Sequence, residues 1–480
     1  MEMTMRKTLL ALLVLNLAGC VDMPTLRHAN PDLPKAWPAS VPVGKEEPRL
    51  HEWWTLFNDT ALTALIEEAL KYNSDLLLAA ARIEEARAAL GLTDADRQPS
   101  VQLGGSAGRT RATEKGSFPL PSPINNKFQV NIQAAFEADL WGRYRQASAA
   151  ARADLLASEY AREVVRASLA STVAQATFQI TALDATLALT RDTLNNRRET
   201  VDLHKLRFDG GIASELPLRQ VEAELAGVEA TQAELTRQLR QQETALALLL
   251  GRSPRGLVED PLARGKPLDL LTPPPLIPAG LPSDLLARRP DLRQAEQQLA
   301  GAEARVLRTK AAIYPSLSLT ANLGSESKAL SNLFSGPATI WGIGASLVQT
   351  LYNAGRTEAT LKGDAARQEQ ALLEYERTLR VAFKEVLDAL VATRQAREAE
   401  AAESRRAQAL ARAAELADLR YQNGVSNYLE VLDAQRSLYQ ARQNLIEARR
   451  AGLAASSALF KALGGGWPLQ TETSPPGERG

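Results

Sequence analysis

The chain predicts a mainly helical protein with a membrane β-barrel, built from a duplicated repeat of long coiled-coil helices and contributing four strands per chain. Three observations carry this. The sequence repeats itself, apolar residues recur every seven positions over long proline-free runs, and four short segments alternate with a period of two. The repeat is clearest between LRFDGGIASELPLRQ (206–220) and LRYQNGVSNYLEVLD (419–433), at an offset of 213. It pairs Arg207 with Arg420, Phe208 with Tyr421 and Gly211 with Gly424, and the same offset aligns Gly142-Arg143 with Gly355-Arg356 and Leu250-Gly251 with Leu463-Gly464. Upstream the offset becomes 216, aligning Asp75 with Asp291, Ala79 with Ala295, Ala86 with Ala302 and Pro99-Ser100 with Pro315-Ser316. A self-similar chain is parsed by its repeat first. The 480 residues therefore read as one body of two halves, not as about three domains.

Residues 1–19 read as a signal peptide: Arg6 and Lys7 precede an apolar core, Thr8 to Ala18, that is too short to span a bilayer. The core ends in Leu17-Ala18-Gly19-Cys20, which resembles the lipobox of bacterial lipoproteins. That resemblance implies N-palmitoyl and S-diacylglycerol groups on Cys20, and Val21 after it implies sorting to the outer membrane. Cys20 is the only cysteine, which excludes disulfides. No other segment reaches about 18 uninterrupted apolar residues, so no transmembrane helix is expected. Residues 20–50 hold Pro24, Pro31, Pro34, Pro38, Pro42 and Pro48, an extended tether behind a lipid anchor.

The first repeat spans 51–251. Helical pattern runs from about His51 to Asp96 with a break at Asn73-Ser74, and the period turns to two from Pro99. Val101, Leu103 and Ala107 alternate with polar or small residues, and Phe128, Val130, Ile132, Ala134 and Phe136 do the same, giving a hairpin over about 99–140. The second repeat, 283–464, matches it with Leu317, Leu319, Ala321 and Leu323, then Trp341, Ile343, Ala345 and Leu347, over about 315–348. Each strand reads as about nine residues, the span of a tilted membrane strand. Four strands cannot close a barrel, and an open edge in hydrocarbon leaves backbone groups that cost several kcal/mol each. Two copies would give eight strands and three would give twelve; the sheet alone does not choose.

A helical hairpin follows each strand pair, at 142–250 and 355–463. From Gly142 to Phe208 about 67 proline-free residues at 1.5 Å each make a helix of roughly 100 Å. Along it Val173, Ile180, Leu187, Leu194, Val201 and Phe208 step by seven, and Leu218, Leu225, Leu239 and Leu246 mark the next helix. In the second repeat Val425, Leu432, Tyr439, Ile446, Leu453 and Phe460 run beside Ala434, Ala441, Ala448, Ala455 and Ala462, a seam that lets helices approach closely. Between the halves, 252–282 holds eight prolines and reads as a surface crossover, with Ser283 capping the next helix. The Pro-, Gly- and Thr-rich tail, 465–480, is expected to be disordered.

Lysine plus arginine and aspartate plus glutamate number 56 each, so no basic field points to nucleic acid. Three separated histidines, His28, His51 and His204, exclude a histidine-rich metal site. Gly104-Gly105-Ser106-Ala107-Gly108 matches a nucleophile-elbow pattern, but a loop follows Ser106 where that motif needs a helix; its glycines read as the end of a strand. No catalytic residue is assigned.

The lipobox, the duplicated halves, RFDGGIAS (207–214), RYQNGVSNYLEVLDAQRSLYQAR (420–442), LPSDLLARRPDLRQAE (281–296) and ALFKALGGGW (458–467) together resemble the outer-membrane factor family, the TolC- and OprM-like channels, in their lipidated NodT-type branch. The resemblance implies a homotrimer with a twelve-stranded barrel in outer-membrane lipid and a helical tunnel in the periplasm. It implies a passive duct that receives small molecules from an inner-membrane efflux transporter through a periplasmic adaptor. It places Glu430 and Asp433 at the entrance constriction and Tyr421 and Arg449 in a latch that holds the tip closed. The latch's acidic first-repeat partner falls on Pro217, with Glu215 nearby. Arg207, Phe208, Gly210, Gly211, Arg420, Asn423 and Gly424 become adaptor-facing turns, although the glycines serve turn geometry first. The rival reading is a lipid-anchored coiled-coil scaffold with a small sheet outside the membrane.

Overall fold

The computed structural model describes residues 27–28, 32–34, 51–113, 115, 123–274 and 283–466. The signal sequence, Cys20, nearly all of the tether and the tail beyond Gly466 lie outside the described residues. The main elements, in order, are α1 (Thr60–Tyr72), α2 (Ser74–Ala95), β1 (Ser100–Arg111), β2 (Ile124–Ala138), α3 (Arg143–Asp209), α4 (Glu215–Leu249), α5 (Pro290–Ala311), β3 (Ser316–Ser327), β4 (Thr339–Val348), α6 (Arg356–Gln422) and α7 (Tyr428–Ala462), with short helices at Pro254–Glu259 and Asp284–Arg288 between α4 and α5. Both long hairpins have the same build, a helix of 67 residues followed by one of 35.

Local chemistry sets the boundaries. Asp59 caps α1 by accepting from the Ala61 and Leu62 amides at 2.9 and 3.3 Å. The break at Asn73 is a cap as well, its side-chain oxygen accepting from Asp75 and Leu76 at 2.9 and 3.2 Å to start α2. Ser283 holds the expected cap position but makes no side-chain cap bond. Its backbone is already helical (φ −63°, ψ −27°), whereas a capping side chain needs an extended residue.

The chain forms two compact units. Among the described residues, one draws on 27–28 and on the segments within 83–157 and 295–376, and carries the sheet. All four strands pair antiparallel in the order β1-β2-β3-β4, so the two hairpins join through β2 and β3. The strands are 12, 15, 12 and 10 residues long, longer than the alternation alone suggested. In particular β1 runs on through Gly104 to Gly108, and the expected strand end there is wrong. Gly104 sits opposite Asn131, and an added Cβ would lie 3.1 Å from the Asn131 amide oxygen, so the missing side chain makes room for a neighbour without ending the ladder. Ser106 is mid-strand opposite Gln129, which removes the nucleophile-elbow reading.

Register sorts the faces. Leu103, Ile132, Leu323 and Trp341 form one row across all four strands, and Val101, Ala134, Ala321 and Ile343 form the next. Leu103, Leu323, Trp341 and Ile343 are exposed. The opposite face carries Gln102, Gln133 and Asn322 in a row, with Asn131 and Thr320 beside it. An apolar outside and polar inside is the pattern of a barrel in lipid. From Phe128 to Ala138 the apolar face covers ten residue steps of β2, roughly 33 Å of strand, or about 25 Å of membrane at the usual tilt. At the end where the helices attach, Trp141 stacks on Tyr314 at 4.8 Å and donates to the Pro315 carbonyl at 2.8 Å, an aromatic edge to the apolar band.

Among the described residues, the second unit draws on 32–34, 51–82 and the segments within 158–294 and 377–466, and holds the helical core. Trp53 stacks on Phe460 at 5.4 Å, Phe57 packs on Phe178 at 5.1 Å, and Leu62, Ile66, Val173, Leu246 and Leu453 close around them. The duplicated Leu-Gly pairs are explained here. Gly251 (φ +73°) and Gly464 (φ +82°) lie so close to the Tyr72 and Arg288 carbonyls that an added Cβ would sit 2.1 and 2.4 Å from them. Asn73 and Arg289, also repeat mates, donate to the Leu249 and Ala462 carbonyls at the ends of α4 and α7, at 2.9 and 3.1 Å. Among the described residues, no helix is long and apolar enough to cross a membrane.

The face assignment has a direct consequence. Leu323→Arg places a cation in the middle of the apolar band and is expected to destabilise the lipid-inserted sheet by about 2–4 kcal/mol. Gln133→Arg, on the neighbouring strand opposite Asn322 and on the polar face, is expected to be tolerated. Urea unfolding of liposome-inserted protein measures both; equal losses would contradict the face assignment, and a larger loss for Gln133→Arg would reverse it.

Candidate functional site at the paired helical turns

The two turns are built alike. Gly211 (φ +70°) and Gly424 (φ +71°) take the left-handed conformation after a helix end. The Gly211 and Ile212 amides donate to the Phe208 and Arg207 carbonyls, and those of Gly424 and Val425 to Tyr421 and Arg420, all at 2.9 Å. Asn423 adds a side-chain bond to the Leu419 carbonyl at 2.7 Å. Asn427 caps α7 by accepting from the Glu430 amide at 3.2 Å, whereas Ser214 makes no such bond before α4. Ile212 and Val425, equivalent in the repeat, are both well exposed, at 82% and 65%.

Contacts inside the chain tie the turns together. The Arg207 guanidinium donates to the Tyr421 hydroxyl and lies 5.7 Å from its ring centre. Tyr421 meets Tyr428 edge-on at 5.4 Å, and Tyr428 packs on His204 at 4.6 Å. These residues end a longer seam in which α3 runs antiparallel to α7. Along it Ser171 bonds Ser457 at 3.2 Å, Thr190 bonds Tyr439 at 2.8 Å and Arg197 donates to Gln435 at 2.6 Å.

The buried side of α3 changes character along this seam. Val173, Ile180, Leu187 and Leu194 are buried as their spacing predicts, but Val201 is half-buried and Phe208 exposed. A second stripe, three residues out of step, is buried throughout: Ala176, Leu183, Thr190, Arg197 and His204. From residue 195 to the end of α3, only Arg197 and His204 are buried. The first stripe was visible because it is apolar. The second was missed because its occupants turn polar while keeping the same step of seven.

Charge surrounds the turns in pairs. Glu430 accepts from Arg420 at 3.0 Å, and Asp433 lies 3.6 Å from Arg436. Arg436 also binds Glu224 across to α4, a contact that sequence reasoning did not single out. That hydrogen bond holds the Glu224 carboxyl below the usual carboxylate range. Tyr421 and Arg449 do not meet within one chain: Arg449 pairs with Glu400 at 3.4 Å, well along α7 from the turn. Glu215 pairs with Arg219 at 2.9 Å and does not reach Tyr421, whose partner is Arg207. Arg207 and Arg420 are thus both engaged internally, while Gly210, Gly211 and Gly424 stay exposed. Among the described residues no group of histidine, cysteine or carboxylate side chains could hold a metal.

A family model described as outer membrane efflux protein matches residues 65–252 and 281–465. The solvent efflux pump outer membrane protein SrpC of Pseudomonas putida is 34% identical over 472 residues, covering 96% of this chain and 99% of that protein. The cation efflux system protein CusC of Escherichia coli is 35% identical over 415 residues, covering 86% and 88%. The crystal structure of the open state of the Neisseria gonorrhoeae MtrE outer membrane channel superposes with a TM-score of 0.83 at 29% identity, covering 95% of this chain and 100% of that one.

The Glu224–Arg436 pair makes the joint between α4 and α7 sensitive to acid. Because the carboxyl is depressed in the folded state, its contribution is complete above about pH 4.5 and is lost as pH falls through the depressed value. Amide exchange in the turns of α4 and α7 that carry Glu224 and Arg436 is expected to accelerate on going from pH 6 to pH 3.5, after correction for intrinsic rates. Glu224→Gln should remove that acid-dependent part; an unchanged pH response in this variant would assign it elsewhere.

Proposed function

The chain belongs to the outer membrane efflux protein family, and we propose that three copies form a passive exit duct that takes small molecules from the periplasm to the exterior. It is an outer-membrane efflux channel. The duct would serve an inner-membrane efflux transporter through a periplasmic adaptor seated on the paired turns, where Ile212 and Val425 offer exposed apolar contacts. The observation that carries the reading is the sheet: one face is an apolar band of membrane height, and β1 and β4 each have a neighbour on one side only. Three copies pair every edge in a twelve-stranded barrel around the polar face. An acyl group on Cys20 would add a lipid anchor and not a second crossing.

Glu430 and Asp433 share the first turns of α7 and would bring six carboxylates around a threefold axis. Tyr421 would act in the latch through Arg207 in its own chain, while Arg449 would contribute from further along α7, where it pairs with Glu400.

Purified protein in planar bilayers is expected to conduct with a cation preference. Glu430→Ala combined with Asp433→Ala should weaken that preference and raise conductance; unchanged selectivity would remove both residues from the entrance. A protein that never conducts would favour the coiled-coil scaffold. Cys20→Ser should abolish incorporation of labelled palmitate, and continued labelling would refute the anchor.

A further inference from the structure

We infer that His204 is a proton-sensitive pin of the paired turns: its neutral ring closes the end of the α3–α7 seam, and protonation loosens it. The inference rests on the channel reading above. His204 is 4% exposed, and its Nε2 is buried without a hydrogen-bond partner among the described residues. Its ring packs on Tyr428, which carries Tyr421, which is held by Arg207. Four side chains from α3, α6 and α7 thus form one chain of contacts between the two turns, with His204 as its innermost member.

An imidazolium at this position would have no counter-charge among the described residues. On its own helix Arg207 lies one turn away, and Arg197 lies two turns back, reaching Tyr428 and Glu224 electrostatically. Glu199, Asp202 and Asp209 of α3 are exposed to water. On α4, Glu215 and Glu222 are both held by Arg219, and Glu224 by Arg436. On α6, Arg420 holds Glu430 and Asp418 accepts from Gln422. On α7, Asp433 faces Arg436. A proton on His204 would therefore be buried beside Arg207 with nothing to balance it.

Burial, and then the Arg207 charge, hold the imidazole below its ordinary range. The sign follows. With the folded value depressed, the contact is fully made above about pH 6.5, and weakens as pH falls through the depressed value. Opening exposes the ring to water and lets it take up the proton. Each subunit then shifts its closed-to-open balance by up to about tenfold per pH unit below about 6.5.

Conductance of the intact channel in planar bilayers between pH 7.5 and 5.0 tests this, a window above the ordinary carboxylate range of about 4. Open probability is expected to rise several-fold towards acid in the wild type and to stay level in His204→Phe. A flat wild-type profile overturns the inference while leaving the channel, and it needs no variant. A slope that survives in His204→Phe, or in His204→Gln should the phenylalanine variant fail to assemble, assigns the response to another group. No conductance at any pH overturns the channel reading and this inference together.

Discussion

A strand edge cannot be left open in hydrocarbon, and that constraint shapes the whole chain. β1 and β4 border the sheet, and each unpaired amide or carbonyl on those edges costs several kcal/mol in lipid. No rearrangement inside one chain removes two edges from a four-stranded sheet. Pairing must come from other copies, so membrane insertion and assembly become one problem. The same constraint explains why the apolar band lies on one face only. Once the edges are joined, the face bearing Gln102, Gln133 and Asn322 encloses water, and a second apolar face would have nothing to contact.

Duplication then supplies matched parts. Gly251 and Gly464 dock helix ends against the Tyr72 and Arg288 carbonyls, and no side chain fits either place. Asn73 and Arg289 complete the same joint with different chemistry, one amide and one guanidinium reaching the same terminal carbonyl. Arg289 is buried and must be neutralised by Asp291 and Glu385, each at 2.7 Å, a demand that the amide of Asn73 does not make. The joint has been kept while its residues drifted, so geometry and not side-chain identity is what the repeat preserves.

What was legible follows from which patterns are periodic. The repeat, the strands and both long hairpins could be read because apolar residues at steps of two and seven announce them. The ends of β1 could not, since glycines that usually punctuate a chain here lie inside a ladder opposite Asn131. The glycine turns were legible because Gly211 and Gly424 have a conformational reason to be glycine. The partners of Tyr421 were not: Arg207 meets it from the other repeat, and such a pairing depends on how four helices pack. Tyr428, Glu224 and Arg436 escaped for the same reason. Each looks like an ordinary residue of a solvated helix until its neighbour across the seam is known.

The polar end of the seam is where consistency between pattern and packing fails, and the failure has a direction. A heptad filled by Val173, Ile180, Leu187 and Leu194 gains from every buried side chain and resists separation. Past Leu194 the buried positions hold Arg197 and His204, whose burial gains little unless every polar atom finds a partner, and Arg197 Nε and His204 Nε2 do not. The helix pair is therefore held firmly along its apolar stretch and weakly beside its turns. In the equivalent stripe of α6 the matching positions are Glu403, Leu410 and Ala417, so the weakness belongs to one helix pair and not to the repeat. Regions with few apolar contacts open at lower free energy than the core that carries them. A duct that opens at its turns while its sheet stays paired would use such a gradient: a seam that yields first where apolar burial is least.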